Sequence, residues 1–537
     1  MPRSPLISRL VFLVVLCATL LLPAFAAAQI LPASPVAGPS VADPALYAPV
    51  LPAYRDEYIT ETAGRLSSYR VSATLTPADG EQRASIGGSL EIQYLNDTGQ
   101  PQPCLYLRLY PNGEEYAEGE MIIDAVRVDG APVDPELAVD DTLATIPLAA
   151  PVAPGDAVDL ALKYRTTLPT DPARSYGMFA YDLATNTYAM AHWLPLLAGY
   201  DPISEWYLGP LSRNGDPVFT NTAHFDVAIT APSDLILVTT GSEVESATEN
   251  GLTHRRYVSG PSRDFVMAAS ANYVSASETV DGTVVTSWYH PDSEAGGLAV
   301  LDQAAVSLAM YNRLFGPYPF AEMDLVQVDL GNGAGGVEFP QIMFIGGAFY
   351  GESAITRAIP AFLEFIVVHE VAHQWWYAAV GNNQNADAFI DEGLTNAVTA
   401  YYFLERYGEE SYQEQVDLNL KLPYFSMLFS QGDQVVDQPT DAFPNSNAYA
   451  TTIYGKAALG FDALRQKIGD DAFFAALRDY HEEHRFTVAV PDDLKTAFER
   501  ASGQDLTEFW RHWFEAAEGR QDYTRRDYAD LLVELGR

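Results

Sequence analysis

The stretch Phe365-Ile366-Val367-Val368-His369-Glu370-Val371-Ala372-His373-Gln374-Trp375-Trp376 decides how the rest of the chain is read. From Ala361 to Val380 the residues are apolar nearly all round, the pattern of a helix in a protein interior. On a helix of about 3.6 residues per turn, His369 and His373 share one face. Two imidazoles on one face can grip one metal ion, and Glu370 between them is close enough to serve a water at that ion. Buried polar groups without partners cost free energy, so a buried helix with His, Glu and His needs a reason, and a metal supplies it. The chain has nine histidines; a chance match to His-Glu-x-x-His has odds on the order of one in a hundred. The third ligand must come from elsewhere. The best candidate is Glu392 in Ile390-Asp391-Glu392-Gly393-Leu394-Thr395, at the head of another helix-like run. Three protein ligands leave the fourth tetrahedral position to water, which is the arrangement of catalytic zinc. One Zn2+ per chain is therefore expected.

The combination His-Glu-Val-Ala-His-Gln-Trp followed by Asp-Glu-Gly-Leu-Thr resembles the M1 family of zinc aminopeptidases, gluzincins whose metal is held by two His and one Glu. Two further segments match. Gly335-Gly336-Val337-Glu338-Phe339-Pro340 resembles the family's exopeptidase motif, usually Gly-x-Met-Glu-Asn or Gly-Gly-Met-Glu-Tyr, and Tyr454-Gly455-Lys456-Ala457 resembles its Tyr-x-Lys-Gly. The similarity spans roughly residues 67 to 520, in the family's order. It implies an N-terminal all-β saddle or sandwich domain followed by a thermolysin-like, mostly helical α+β metallopeptidase domain. The large C-terminal helical domain of longer family members is expected to be absent.

Composition sets outer bounds. The chain has 537 residues, 48% of them hydrophobic, which suits several globular domains. Its formal charge is -40, from 31 basic and 71 acidic residues. Such a charge argues against nucleic acid and anionic membrane surfaces as partners. Residues 1–28 have the form of an export signal: Arg3 and Arg9, an apolar run from Leu10 to Leu22, and Ala26-Ala27-Ala28 before Gln29. That run falls short of the ~20 residues a membrane-spanning helix needs, so cleavage rather than anchoring is expected. The destination is secreted, periplasmic or cell-surface-associated, with no integral span left. Cleavage removes Cys17 and leaves Cys104 as the only thiol, so packing and metal rather than a disulfide must stabilise the fold.

Residues 29–66, rich in Pro, Ala and Ser, are expected to form a linker or loosely docked arm. Residues 67–290 carry short alternating strands with Gly, Asp, Asn and Pro turns, the pattern of a β sandwich. Asn96-Asp97-Thr98 fits a glycosylation sequon, a tripeptide common by chance. The catalytic domain is placed at 291–520 and a charged tail at 521–537.

Two motifs compete with this reading. Gly331-Asn332-Gly333-Ala334-Gly335-Gly336 comes after a strand and satisfies the dinucleotide fingerprint, but the residues next in the chain are strand-like and contain Pro340, where that fold needs a helix. His481-Glu482-Glu483-His484 offers a possible metal pair, yet Arg478, Asp479 and Arg485 around it point to a solvated helix face.

The glycines Gly335 and Gly336 have a different use: they let a substrate backbone approach and pair with an edge strand. The resemblance implies that Glu338 takes the free α-ammonium of a peptide by charge-assisted hydrogen bonds. Val337 and Phe339 depart from the family pattern beside it. Tyr454 holds the motif position for the oxyanion donor, with Tyr449 as competitor. Glu370 acts as general base and acid. Asn396 and Thr399 share a helix face with Glu392, where they either orient a ligand or are polar side chains on the helix surface with no such role. Met190 and His192 line the cleft or pack in the core. The family's Phe-Pro-Cys-x-Asp-Glu-Pro run is missing around Tyr188–Pro195, so no preference for the first residue can be carried over.

The expected activity is thus aminopeptidase action on peptides with a free N-terminus. A zinc endopeptidase or other gluzincin hydrolase, a non-catalytic scaffold, and a surface- or carbohydrate-binding β protein are the rivals. Nothing in the sequence sets the oligomeric state.

Overall fold

The computed structural model describes residues 43–536 except 81, 117, 173–176, 216, 332–333, 353–355, 358 and 360. The expected export signal and the first part of the expected linker lie outside the described residues.

Alternation of apolar and polar residues builds an eight-stranded sheet. Its order is Ser242–Glu249, Leu252–Ser262, Ala223–Pro232, Ser67–Thr76, Ser85–Leu95, Ala157–Thr167, Glu120–Val128, Ala131–Pro132. Two four-stranded sheets accompany it, and a core with Trp193, Leu105, Ile146 and Phe265 joins these layers. The sequon is not available as an acceptor: Asn96 is fully buried, and its Nδ2 donates to the carbonyls of Gln100 and Val152.

A second sheet carries the site. Its strands are β1 (Val274–Val280), β2 (Thr283–Tyr289), β3 (Glu322–Val328), β4 (Gly336–Phe339) and β5 (Ile342–Gly346), in the order β1-β2-β3-β5-β4. Strands β2, β3 and β5 run parallel, and β4 returns antiparallel along the edge. The domain boundary expected at 290 therefore falls too late. Strands β1 and β2 hydrogen-bond into the catalytic sheet, which alternation alone cannot reveal, because both sheets share one period.

Helix α1 (Pro52–Thr62) lies in the stretch expected as a linker. It is docked firmly: Tyr47, Val50 and Tyr58 are buried in the main core, and Arg485 pairs with Glu57 and Glu61. Helix α2 (Glu294–Phe315) packs against α3 (Phe362–Ala372), which in turn packs on α4 (Glu392–Tyr407). Helix α5 (Leu422–Ser430) follows a π-helical segment at Val416–Lys421. Helices α6 (Ala458–Ile468), α7 (Asp470–His484) and α8 (Pro491–Ser502) complete the bundle. Helix α8 stops at Gly503, whose φ is 65°, and Trp510 and Trp513 beyond it are buried as anchors. The expected charged tail contains α9 (Arg525–Glu534), capped by Thr524 and Asp527 and packed through Leu531 and Tyr528. His481 is likewise corrected: it is buried beneath Gly316 rather than solvated, because α7 turns that edge inward.

Candidate active site

Helix α3 is buried along its whole length after Glu364, as its apolar composition requires. It does not run to Val380. It ends at Ala372, with His373 still near helical geometry at φ -61° and ψ -13°. The chain then closes a tight turn in which Tyr377 N–H donates to Val380 O at 2.8 Å and Val380 N–H to Trp375 O at 3.0 Å. Tyr377 adopts φ 110°, a strained value that only a well-packed surround sustains. The two histidines thus sit in the last turn of α3, where the negative end of the helix dipole favours a cation. Glu392 opens α4, where the positive end of its dipole favours an ionised carboxylate.

The three candidate ligands meet. His369 Nε2 lies 3.0 Å from His373 Nε2 and 3.2 Å from Glu392 Oε2, and His373 Nε2 lies 3.3 Å from the same oxygen. A tetrahedral ion with ligand bonds of ~2.0–2.1 Å sets neighbouring donors about 3.3 Å apart, so this triangle fits zinc. The protonation pattern agrees. His373 Nδ1 donates to the Trp376 carbonyl at 3.0 Å and faces Asp391 Oδ1 at 2.8 Å, which turns a lone pair on Nε2 toward His369. Lone pairs so close are unfavourable unless a positive charge lies between them. Burial works against charge on His373, but Glu338 and Asp391 nearby more than offset it and raise its pKa well above that of free imidazole. Burial likewise works against charge on Glu392, yet the His369 and His373 rings set against it hold its carboxyl well below the usual range. The pocket calls for a cation.

Around this triangle lies a cleft of about 470 Å³. Gly335, Gly336, Glu338, Glu370 and Tyr454 all line it. The carboxylates of Glu338 and Glu370 and the His373 ring bring one ligand atom each within 4.8 Å of one another. Gly336 has a clear reason to be glycine: a Cβ there would sit 2.4 Å from Glu370 Oε1. Strand β4 is therefore pressed directly onto the α3 carboxylate. Tyr454 lies in a π-helical segment, Thr451–Ala457, ahead of α6, and its hydroxyl donates to Glu392 Oε1. Burial first, and then Glu392, raise its pKa well above the ordinary phenol value, so it stays a donor. Tyr449 shares the cleft, but its hydroxyl lies against Gly215 instead.

Asn396 Nδ2 donates to the Tyr454 carbonyl at 2.8 Å, fixing the segment that carries the phenol. Thr399 is buried on the α2 side and contacts Tyr311, away from the ligands. Met190 and His192 are fully buried and do not line the cleft; Met178 does. Asp391 and Met178 escaped the sequence reading. Adjacency to Glu392 was the one available signal for Asp391, and Met178 had none.

Residues 300–513 match the model of the Peptidase family M1 domain. Aminopeptidase M1-B of Oryza sativa subsp. japonica is 22% identical over 334 residues, 59% of this chain and 37% of that protein. Aminopeptidase N of Lactococcus lactis subsp. lactis is 28% identical over 155 residues, 28% of this chain and 18% of its own length. The chain thus spans well under half the length of these relatives. The M1 zinc metallopeptidase from Deinococcus radiodurans has the same fold, with TM-score 0.59 and 19% identity, covering 84% of this chain and 93% of that one. A mutant of the Deinococcus metallopeptidase, bound to a Tyr-Ser-Ala substrate, superposes with TM-score 0.57 at 18% identity, covering 85% of this chain and 95% of that one. The M1 match encloses every residue predicted for the site, from Gly335 to Tyr454.

Proposed function

We propose that this chain is a zinc-dependent aminopeptidase that removes the N-terminal residue from peptides. The observation that carries the reading is the donor triangle of His369, His373 and Glu392, with Glu370 and the edge-strand carboxylate of Glu338 beside it. His369, His373 and Glu392 would hold the ion, which when bound supplies Lewis-acid polarisation of the scissile carbonyl and acidifies a water.

The chain's own groups do the rest. Glu370 accepts the proton of the attacking water and passes it to the departing amine nitrogen. The Tyr454 hydroxyl leaves Glu392 and donates to the carbonyl oxygen as charge develops there. Glu338 binds the substrate ammonium, so the scissile bond that reaches Glu370 is the first one. Strand β4 offers its free edge to the peptide backbone, held in register by its pairing with β5. The Deinococcus mutant bound to a tripeptide supports a peptide as the ligand of this fold.

Export is part of the proposal, supported by the basic start, apolar run and alanine triplet of residues 1–28. Among the described residues no helix is long and apolar enough to cross a membrane.

The test compares free-amino and N-acetylated aminoacyl anilides on the wild type and Glu338→Ala. The wild type should cleave only the free form, and the variant should lose roughly 10²-fold or more on it. Cleavage of both forms alike by the wild type would point to the endopeptidase reading instead.

A further inference from the structure

The turn after the metal helix is held from outside its own domain. Arg263 directly follows the strand Leu252–Ser262 of the eight-stranded sheet and is 2% exposed. No carboxylate pairs with it among the described residues; its guanidinium donates only to main-chain carbonyls. Nε reaches Tyr377 O at 2.6 Å, Nη1 reaches Thr220 O at 3.0 Å, and Nη2 reaches Thr487 O and, at 3.5 Å, Ala379 O. One side chain thus ties the β domain, the turn after α3 and the segment after α7. The fit is tight. A Cβ on Gly381 would come within 2.0 Å of the guanidinium carbon.

Tyr377 and Ala379 belong to the strained turn whose preceding carbonyl, Trp376 O, takes the Nδ1 hydrogen of His373. Burying a cation without an anionic partner is costly, and only a planar fork with five donors can satisfy three separate backbone segments at once. Lysine offers a point charge in its place.

We propose that Arg263 is a positioning residue for the metal site. From the β domain it fixes the Tyr377 turn, the turn fixes the Trp376 carbonyl, and that carbonyl, together with Asp391 Oδ1 at 2.8 Å from the same nitrogen, sets the tautomer and ring orientation of His373. Metal affinity in the helical domain then depends on a β-domain side chain that touches no ligand. The inference rests on the zinc reading, and its test separates the two.

A control exists within the same molecule. Arg108 is also buried, 1% exposed, and also donates only to carbonyls, those of Tyr207 and Gly209, but it lies wholly within the β-domain side. The experiment measures zinc affinity of the full chain by competition with a chromophoric chelator, alongside Tm without metal. Wild type, His373→Ala, Arg263→Lys, Gly381→Ala and Arg108→Lys are compared. Gly381→Ala tests the same clamp from the other side, by displacing the guanidinium, should Arg263→Lys fail to fold. The expected result is a 10–100-fold weaker zinc affinity for Arg263→Lys and Gly381→Ala, the size typical of lost support behind a ligand. Arg108→Lys should lower Tm yet stay within about threefold of wild-type affinity. Clamp variants that bind zinc like wild type, or an Arg108→Lys loss as large as theirs, would overturn the inference and leave the zinc site standing. Equal affinity of wild type and His373→Ala would overturn the zinc reading and this inference with it.

Discussion

Replacing Gly336 by alanine tests the packing of the edge strand on the base more sharply than removing the base does. The new Cβ would lie 2.4 Å from Glu370 Oε1 and 2.5 Å from both its Cδ and Cγ, where ordinary contact begins at 3.4 Å. Something must move by about 1 Å. The backbone of Gly336 has no positive φ, so alanine is not strained by its own conformation. Strand β4 is held by β5, with Gly336 opposite Ile345, so the yielding group is the Glu370 carboxylate. A misplacement of that size at a catalytic group can cost about 10²-fold, or ~2.7 kcal/mol of transition-state stabilisation. The expected outcome for Gly336→Ala is a kcat some hundredfold lower on an aminoacyl anilide, with zinc content and Tm close to wild type. The assay pairs steady-state kinetics with metal analysis of the same preparation. A kcat within threefold of wild type would refute the reasoning, since the carboxylate would then have tolerated the intrusion without losing its geometry.

Other expectations rest on the same geometry. Tyr454→Phe removes one donor at the developing oxyanion and should lower kcat by about 10²–10³-fold with zinc retained; an unchanged kcat would transfer the role to Tyr449. Asp324 gives a pH test away from the metal. It is buried, accepts the Trp288 indole N–H at 2.7 Å, and burial pushes its pKa up to about 7. Between pH 5 and 7 the folded chain keeps a proton that the unfolded chain, titrating near 3.9, releases, so this group costs stability as pH rises, by roughly 2–3 kcal/mol. Asp324→Asn cannot titrate and should remove that share of the decline, seen as a smaller drop in Tm from pH 5 to pH 8. Identical pH dependence in the two proteins would sink the assignment.

How far the sequence carried the reading depends on the range of each interaction. His369, Glu370 and His373 were legible because their relation is local, a helical spacing that survives even though α3 stops at Ala372. Glu392 was legible because few acidic residues head a helix just downstream of such a pair. Gly336 signalled close approach without saying to what; only the fold reveals that its neighbour is Glu370. The strands Val274–Val280 and Thr283–Tyr289 were assigned to the wrong sheet because partner choice is a long-range matter. Helix α1 looked like a linker from its Pro and Ala content, and its docking depends on Arg485, more than 400 residues away in sequence. His481 looked solvated because its charged neighbours on α7 are, while the helix as a whole turns that one position into the core. Asp391, Met178 and Arg263 act only through tertiary placement, and no short pattern announces them.

The most direct test of the central claim is the turnover of Glu370→Gln measured on protein that carries one zinc per chain. Loss of about 10³-fold in kcat with the metal in place is the predicted result. A variant that hydrolyses within tenfold of the wild type at full zinc occupancy would contradict the assignment of Glu370 as the proton-transfer group and the mechanism built on it.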